Sequence, residues 1–429
     1  MINRFCCLLF FISFLVAQES VVREQTSGDV SFFEAHAIRS GNDTGLVHAV
    51  FRVRYDHFVF TVTPGDQRFV AAGEATVEVL DSNGLSITRR ITGITIRSKS
   101  NSAQSVRENY HQQAMVFALP PGTYTLLLRI EDSESKRRSP DIRKTVTLSG
   151  RRQPVRSTLI PVESPASEEN RYMLPNLGGD LFFSRDFYFL AAHSNAGFDS
   201  VRYVIRSYGD EGRENPAIVV DTVVRVVSQP GMPEVFNDSS FISIDITPAD
   251  GITTYAVPLR GSKLRQSRYE ITLTFPDSSS STASFGTRWL DMPRSLNDLE
   301  ISTLPLQYLL QEKEYRELRR GGRATRIKKF EAFWASKDPT PETAYNELMA
   351  EFYRRVDHTV SAYRTLKEPN GSLTDRGKIF ILYGRPTTTD RQLRPGTVPK
   401  ETWYYDTLKK TFIFEDPRRQ GEYTLVGNK

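Results

Sequence analysis

The chain has 429 residues, 39% of them apolar and 25% charged, with 18 Tyr and 26 Phe; this is material for packed cores and excludes wholesale disorder. At ~150 residues per domain the length points to roughly three domains. Lys and Arg number 56 against 51 Asp and Glu, an excess too small on this length for a dedicated nucleic-acid binder.

Met1 to Ala17 places Arg4 before the apolar run Phe5 to Val16 and ends on a small residue ahead of Gln18-Glu19, the order of a secretory signal. Residues 1–17 are therefore expected to be a signal peptide cleaved at or near Ala17. Both cysteines, Cys6 and Cys7, lie inside it, so the mature chain is expected to carry no disulfide, thiolate nucleophile or cysteine metal site. No later apolar run approaches the ~20 residues of a spanning helix, and membrane contact after cleavage is expected to be peripheral at most.

From Ser31 to Leu148 the side chains alternate with period two. Val47, Ala49, Phe51, Val53 and Tyr55 share one face, and Glu74 to Leu80 alternates likewise. Asp81-Ser82-Asn83-Gly84 then supplies turn residues before Leu85-Ser86-Ile87 starts a return strand. Tyr124, after the Pro120-Pro121-Gly122 corner, stands where a sandwich places a corner tyrosine or an ordinary edge aromatic. The spacing predicts about seven strands and an immunoglobulin-like β-sandwich over residues 18–150. Residues 151–171, with Pro154, Pro161 and Pro165, have linker composition. A second β-sandwich follows over 172–292, with strands expected at 187–192, 201–205, 219–227, 241–246, 255–259, 269–275 and 283–289. Tyr269-Ile271-Leu273-Phe275 echoes Tyr124-Leu126-Leu128-Ile130, as distant copies of one domain would.

After Pro293 the period changes. Thr303 can cap a helix that carries Leu306, Leu309 and Leu310 and ends at Gly321-Gly322. A second helix holds Ile327, Phe330, Phe333 and Trp334. A third is predicted from a Thr340 cap with Pro341 at its first position, burying Tyr345, Leu348, Met349, Phe352 and Val356. Strands are expected at 378–383, 402–405, 411–415 and 422–426. Helices followed by a small sheet make residues 293–429 an α+β domain.

The segment Asn370-Gly371-Ser372-Leu373-Thr374-Asp375-Arg376-Gly377, continuing through Gly384-Arg385-Pro386, resembles the signature of the bacterial GWxTD-domain family. Phe333 to Pro341, Asn346-Glu347, Phe352 to Val356 and Glu401-Thr402-Trp403-Tyr404-Tyr405 resemble its flanking blocks, so the likeness runs from about Leu304 to Val426. The family's tryptophan is Ser372 here. The resemblance implies an exported bacterial protein, periplasmic or at the cell surface, with β-sandwich modules before the signature domain; it implies no reaction. Gly371, Thr374, Asp375, Gly377, Gly384, Pro386, Trp403 and Tyr405 are the motif positions expected to hold the fold. Thr374 to Gly377 fits a tight turn in which Gly377 takes a conformation closed to other residues, leading into a strand at Lys378. The functional reading of the same segment makes Asp375 and Arg376 ligand contacts.

Other chemistry is mostly excluded. Gly371 to Lys378 has the wrong spacing for a phosphate loop and Ile379 where a magnesium-binding hydroxyl belongs. The six histidines show no metal-ligand pairing, no Gly-x-Ser-x-Gly elbow is present, and no cofactor is expected. Glu312, Glu314 and Glu317 are interleaved with Lys313 and Arg316 and read as ion-paired surface. Between positions 313 and 329, eight basic residues oppose only Glu314 and Glu317. Arg316, Arg319, Arg320 and Arg323 are therefore candidates for docking an anionic glycan or an acidic envelope protein, against the ordinary alternative of solvated helix faces. Export argues against nucleic acid as the partner. The expected function is a non-catalytic binding or scaffold protein of the cell envelope. The alternatives are a hydrolase whose carboxylates meet only in the fold, or an assembly subunit that pairs through strand edges.

Overall fold

A computed structural model describes residues 31–39, 43–62, 68–102, 109–150, 153–163, 171–195, 197–208, 216–237 and 241–428. The expected signal peptide with its cleavage site and the polar run 164–170 lie outside them. The described chain is mostly β, with its longer helices in the C-terminal part. It divides into two compact units, Met1–Trp289 and Leu290–Lys429. Among the described residues no helix is long and apolar enough to cross a membrane.

In the first unit, strands Ser31–Ile38, Gly45–Arg54 and Tyr110–Leu119 form an antiparallel sheet. A second sheet is built on Phe69–Leu80, which pairs with Ser86–Ser98 and with Gly122–Asp132, itself paired with Ile142–Leu148. The alternation predicted at 47–55 and 74–80 is realised: Val47, Phe51, Val77, Leu126 and Leu128 are buried in one core between these sheets. Asp81 closes the hairpin by accepting from the backbone N–H groups of Asn83 and Leu85.

A second core draws on residues from Val155 to Phe285. Phe187–His193 pairs with Thr253–Leu259 on one side of it; Ser200–Ser207, Ala217–Arg225, Arg268–Thr274 and Ser280–Arg288 form the other sheet. Both corner tyrosines bond alike: the Tyr124 hydroxyl donates to the Pro120 carbonyl at 2.7 Å and that of Tyr269 to the Arg265 carbonyl at 2.8 Å, each four residues upstream. Within the stretch of linker composition, part of the described residues 153–163 is packed against the strands around it. Ile160–Val162 is a strand paired with Phe187–His193, and Ile160 and Val162 are packed with Ile38, Val50, Leu190 and Ile244 in a third core. Apolar side chains flanking Pro161 gain more by burial than the prolines lose in ladder bonds.

The second unit begins with helix α1 (Leu299–Thr303), capped by Asp298, which accepts from the N–H groups of Glu300 and Ile301. A 3-10 turn (Leu304–Tyr308) follows, then α2 (Glu312–Leu318), α3 (Arg323–Ala335), α4 (Glu347–Ala362) and α5 (Asp375–Tyr383). Three expectations are corrected. The single helix from Thr303 is broken, because the Thr303 hydroxyl bonds back to the carbonyls of Leu299 and Glu300 and ends α1 there. The third helix starts at Glu347 and not at Pro341: Asn346 is its cap, accepting from Met349 N–H, while Thr343 is tied into a turn with Thr340. Lys378 to Tyr383 is helical, not a strand, because Thr374 caps it. The final sheet has the antiparallel order Thr388–Gln392, Lys400–Tyr405, Lys410–Glu415, Thr424–Asn428.

Candidate functional site

The signature segment begins where Asn370 caps a 3-10 turn (Gly371–Leu373), accepting from both the backbone N–H and the hydroxyl of Ser372. The Thr374 hydroxyl donates to the Gly371 carbonyl at 2.8 Å and accepts from Gly377 N–H at 3.1 Å, which opens α5. The tight turn expected at Gly377 is therefore a helix N-terminus, and Gly377 is needed for space. A Cβ there would lie 2.0 Å from the Gly371 carbonyl oxygen. Gly371 is equally confined, its would-be Cβ lying 2.1 Å from the Thr359 carbonyl oxygen near the end of α4. Of Gly371, Gly377 and Gly384, the last alone has a positive φ (77°), where it ends α5. Tyr405 donates to its carbonyl at 2.8 Å, and burial pushes the Tyr405 phenol well above its ordinary range. Pro386 is half-buried just before strand Thr388–Gln392.

Asp375 and Arg376, the candidate ligand contacts, are both turned to internal partners. The Asp375 carboxylate accepts from Leu425 N–H at 2.7 Å and so fastens the last strand to the start of α5. The Arg376 guanidinium lies 4.4 Å from the ring centre of Tyr423 and 5.4 Å from that of Tyr363, and donates to Glu401 at 3.2 Å. Glu401, which sequence reasoning did not single out, is the centre of this arrangement. It is 2% exposed and also accepts from Trp403 Nε1 at 2.7 Å and from Arg391 at 3.3 Å. Trp403 is buried against Tyr363 and Phe414. The signal available in sequence was the alternation Glu401-Trp403-Tyr405, which puts an acid on the buried face of a strand.

The four candidate arginines lie elsewhere, on α2, α3 and the Gly321-Gly322 junction. Arg316 is paired with Glu312 at 3.5 Å and Arg320 with Glu317 at 3.8 Å; their side chains are 71% and 81% exposed. Arg319 reaches Glu300 of α1, which also holds Arg326, and Lys329 is bonded to Glu317. Arg323 opens α3. Counting the whole stretch 299–335, eight basic side chains meet five acidic ones, so part of the excess expected from the local sequence is neutralised by Glu300 and Glu312. Glu314 bonds back to Gln311 N–H at the start of α2. The structure thus separates Asp375 and Arg376, which are internal, from the exposed arginines. An apolar cavity of about 290 Å³, lined by residues including Trp334, Phe352, Ile381, Lys337 and Arg355, touches neither Asp375 nor Arg376. Among the described residues no group of His, Cys, Asp and Glu is arranged to hold a metal ion.

Residues 276–429 match the GWxTD domain. The assignment agrees with the signature at 371–377 despite Ser372, and the match starts inside the last hairpin of the first unit. Within the GWxTD domain the indole position is filled by a side chain that is 1% exposed and bonded to Asn370, with Tyr308 donating to the Ser372 carbonyl at 2.9 Å. No curated protein matches the chain. Among solved structures, the Yersinia pseudotuberculosis adhesin InvE aligns at 12% identity with a TM-score of 0.14, over 61% of this chain and 60% of the adhesin.

Proposed function

We propose that the protein is an exported, non-catalytic binding or scaffold component of the bacterial cell envelope. In this reading two immunoglobulin-like sandwiches serve as spacers, and the GWxTD domain presents its arginine-bearing helices to an anionic glycan or acidic protein. The observation that carries it is the inward turn of the signature: Asp375 and Arg376 spend their side chains on Leu425, Glu401 and Tyr423. A motif used this way orders a platform, and on its surface Arg316 and Arg320 are exposed while loosely paired with Glu312 and Glu317. Such exposed charges act over ~8 Å at physiological ionic strength, so docking should weaken with salt.

The test is affinity capture from native envelope with the wild-type chain and the R316E/R319E/R320E/R323E variant. Arg319 faces Glu300, so a triple variant that keeps Arg319 controls for repulsion inside the fold. Loss of a salt-sensitive partner in both variants is expected; equal recovery at matched folding and low salt refutes the reading. Assembly through strand edges is the second reading, favoured by the edge strand Ala217–Arg225, which leaves Ile218 and Val223 59% and 63% exposed. Under that reading Val223→Lys reduces self-association or partner pairing in sedimentation velocity.

A further inference from the structure

A cleft of about 580 Å³ in the first unit runs along strand Ser31–Ile38 and is walled by strand Ile142–Leu148, residues 155–161 and the start of strand Ser280–Arg288. It lies where the first and second cores meet. Three features set it apart from an ordinary seam between sheets.

One is an acceptor without a donor. Glu34 lines the cleft at 3% exposure; its Oε2 meets His36 Nε2 at 3.1 Å, and its Oε1 is buried without a hydrogen-bond partner. Another is a group of donors without acceptors. Arg156 also lines the cleft, with a buried, unpartnered Nε. Arg39, fully buried, donates Nη2 to the carbonyl of the wall residue Gln153 at 2.5 Å, while its Nε and Nη1 have no partner. The two arginines are neighbours, since Arg39 N–H donates to the Arg156 carbonyl at 2.7 Å. Burial and the charge of Arg156 both push the Arg39 guanidinium below its ordinary range. The third feature is a lining rich in hydroxyls: Thr145, Thr147, Ser157, Thr158, Ser281 and Thr282, of which Ser157 and Thr158 already accept from the N–H groups of Ala192 and Ala37.

An acid and a guanidinium that line one cleft would ordinarily pair, because an uncompensated buried charge is costly. Here they are held apart. Glu34 and Arg39 stand at opposite ends of a strand segment of about 17 Å at ~3.3 Å per residue. The strand's own packing keeps them there: its alternate residues Phe33 and Ala37 are locked into the first core, and Thr158 accepts from Ala37 N–H and donates its own N–H to the Ala37 carbonyl. The cleft thus offers the Glu34 carboxylate, the Arg156 guanidinium and a hydroxyl-rich lining, with Arg39 buried behind Arg156.

We propose that this cleft binds an acidic saccharide, with the sugar's carboxylate, sulfate or phosphate on Arg156 and a ring hydroxyl donated to Glu34 Oε1. A guanidinium fork matches each of those anions. The hydroxyl-lined stretch is long enough for more than one ring. A bare anion uses only the arginine end, and a neutral sugar only the rest.

The experiment is isothermal titration of the full chain at low salt with disaccharides bearing a uronate, a sulfate or a phosphate, with a neutral disaccharide and inorganic phosphate alongside. At least one acidic disaccharide should bind ten-fold or more tightly than both the neutral sugar and phosphate. R156Q should weaken it at least ten-fold and E34Q by a smaller factor, with unchanged far-ultraviolet dichroism. Repeating the titrations in the R316E/R319E/R320E/R323E background removes the surface of the C-terminal domain, and the R156Q and E34Q effects should persist there. Absence of binding by all three acidic sugars, equal binding of the acidic and neutral sugars, equal affinity for phosphate alone, or full binding by R156Q would each overturn the assignment.

Discussion

Gly377→Ala tests the account of the signature through the sign of its effect. In an α-helix interior, glycine to alanine normally stabilises by up to ~1 kcal/mol. At position 377 the added methyl would lie 2.0 Å from the Gly371 carbonyl oxygen and 3.0 Å from its carbon, both of them backbone. Relief requires moving the Gly371–Leu373 turn, which is pinned from behind by the backbone of Thr359 in α4 and of Arg364 just after it. It also strains the bond from the Thr374 hydroxyl to the Gly371 carbonyl, worth about 1 kcal/mol. Overpacking of this kind costs ~1–3 kcal/mol, so the helix-propensity gain is exceeded and the variant should be destabilised by about 1–3 kcal/mol. Because the chain has two units, the readout should be local: hydrogen exchange of peptides covering α5 and strands Lys400–Tyr405 and Lys410–Glu415, under native conditions. Gly322→Ala, where nothing lies within 4 Å of the new methyl, should leave the same peptides unchanged. Slower exchange in Gly377→Ala than in wild type would refute the close-approach argument and return the residue to the ordinary glycine class.

Restoring the family tryptophan by Ser372→Trp should destabilise the domain by about 2–3 kcal/mol, because Ser372 is 1% exposed and its hydroxyl is bonded to Asn370; unchanged exchange in α5 would show that the space exists. Glu401→Gln removes the charge that Arg376 and Arg391 share in a buried position and should cost about 3 kcal/mol, read by the same exchange assay and by Trp403 fluorescence; a cost below 1 kcal/mol would show that the pair is dispensable. Burial, and secondarily the charge of His36, holds His48 down at about 4 from its ordinary 6.5. The unfolded chain therefore binds this proton first: the stability is present above pH 6.5 and is lost as pH falls through about 4, up to about 3 kcal/mol in all. His57, His111 and His193 are lowered in the same direction. Urea midpoints at pH 7.5, 6 and 4.5 should fall in wild type and fall less in His48→Phe; parallel slopes would exclude His48 as a contributor.

Period-two alternation located the strands of the first unit because one face of each sheet is buried and the other wet, as in Val47 to Val53 and Glu74 to Leu80. The same reasoning failed at Lys378 to Tyr383. Ile379, Phe380 and Ile381 are all buried, since α5 is enclosed by α4 on one side and the last sheet on the other, and a consecutive apolar run has no period to read. The Thr374-Asp375 pair ahead of it is a helix-start signal, but it also fits a turn, and only the contact with Gly371 decides between them. The basic segment was visible as composition, whereas its neutralisation was not: Glu300 lies 19 residues from Arg319 in sequence and reaches it only because α1 packs beside α2 and α3. The cleft was invisible for the same reason. Glu34, Arg39, Lys144, Arg156 and Ser281 are scattered through the chain, and none differs by type or spacing from surface residues. Local sequence determines which residues can form a strand, a cap or a turn, because those depend on neighbours a few positions away. Which polar groups are then buried without partners depends on how the sheets are stacked, and that is settled by burial summed over the whole unit.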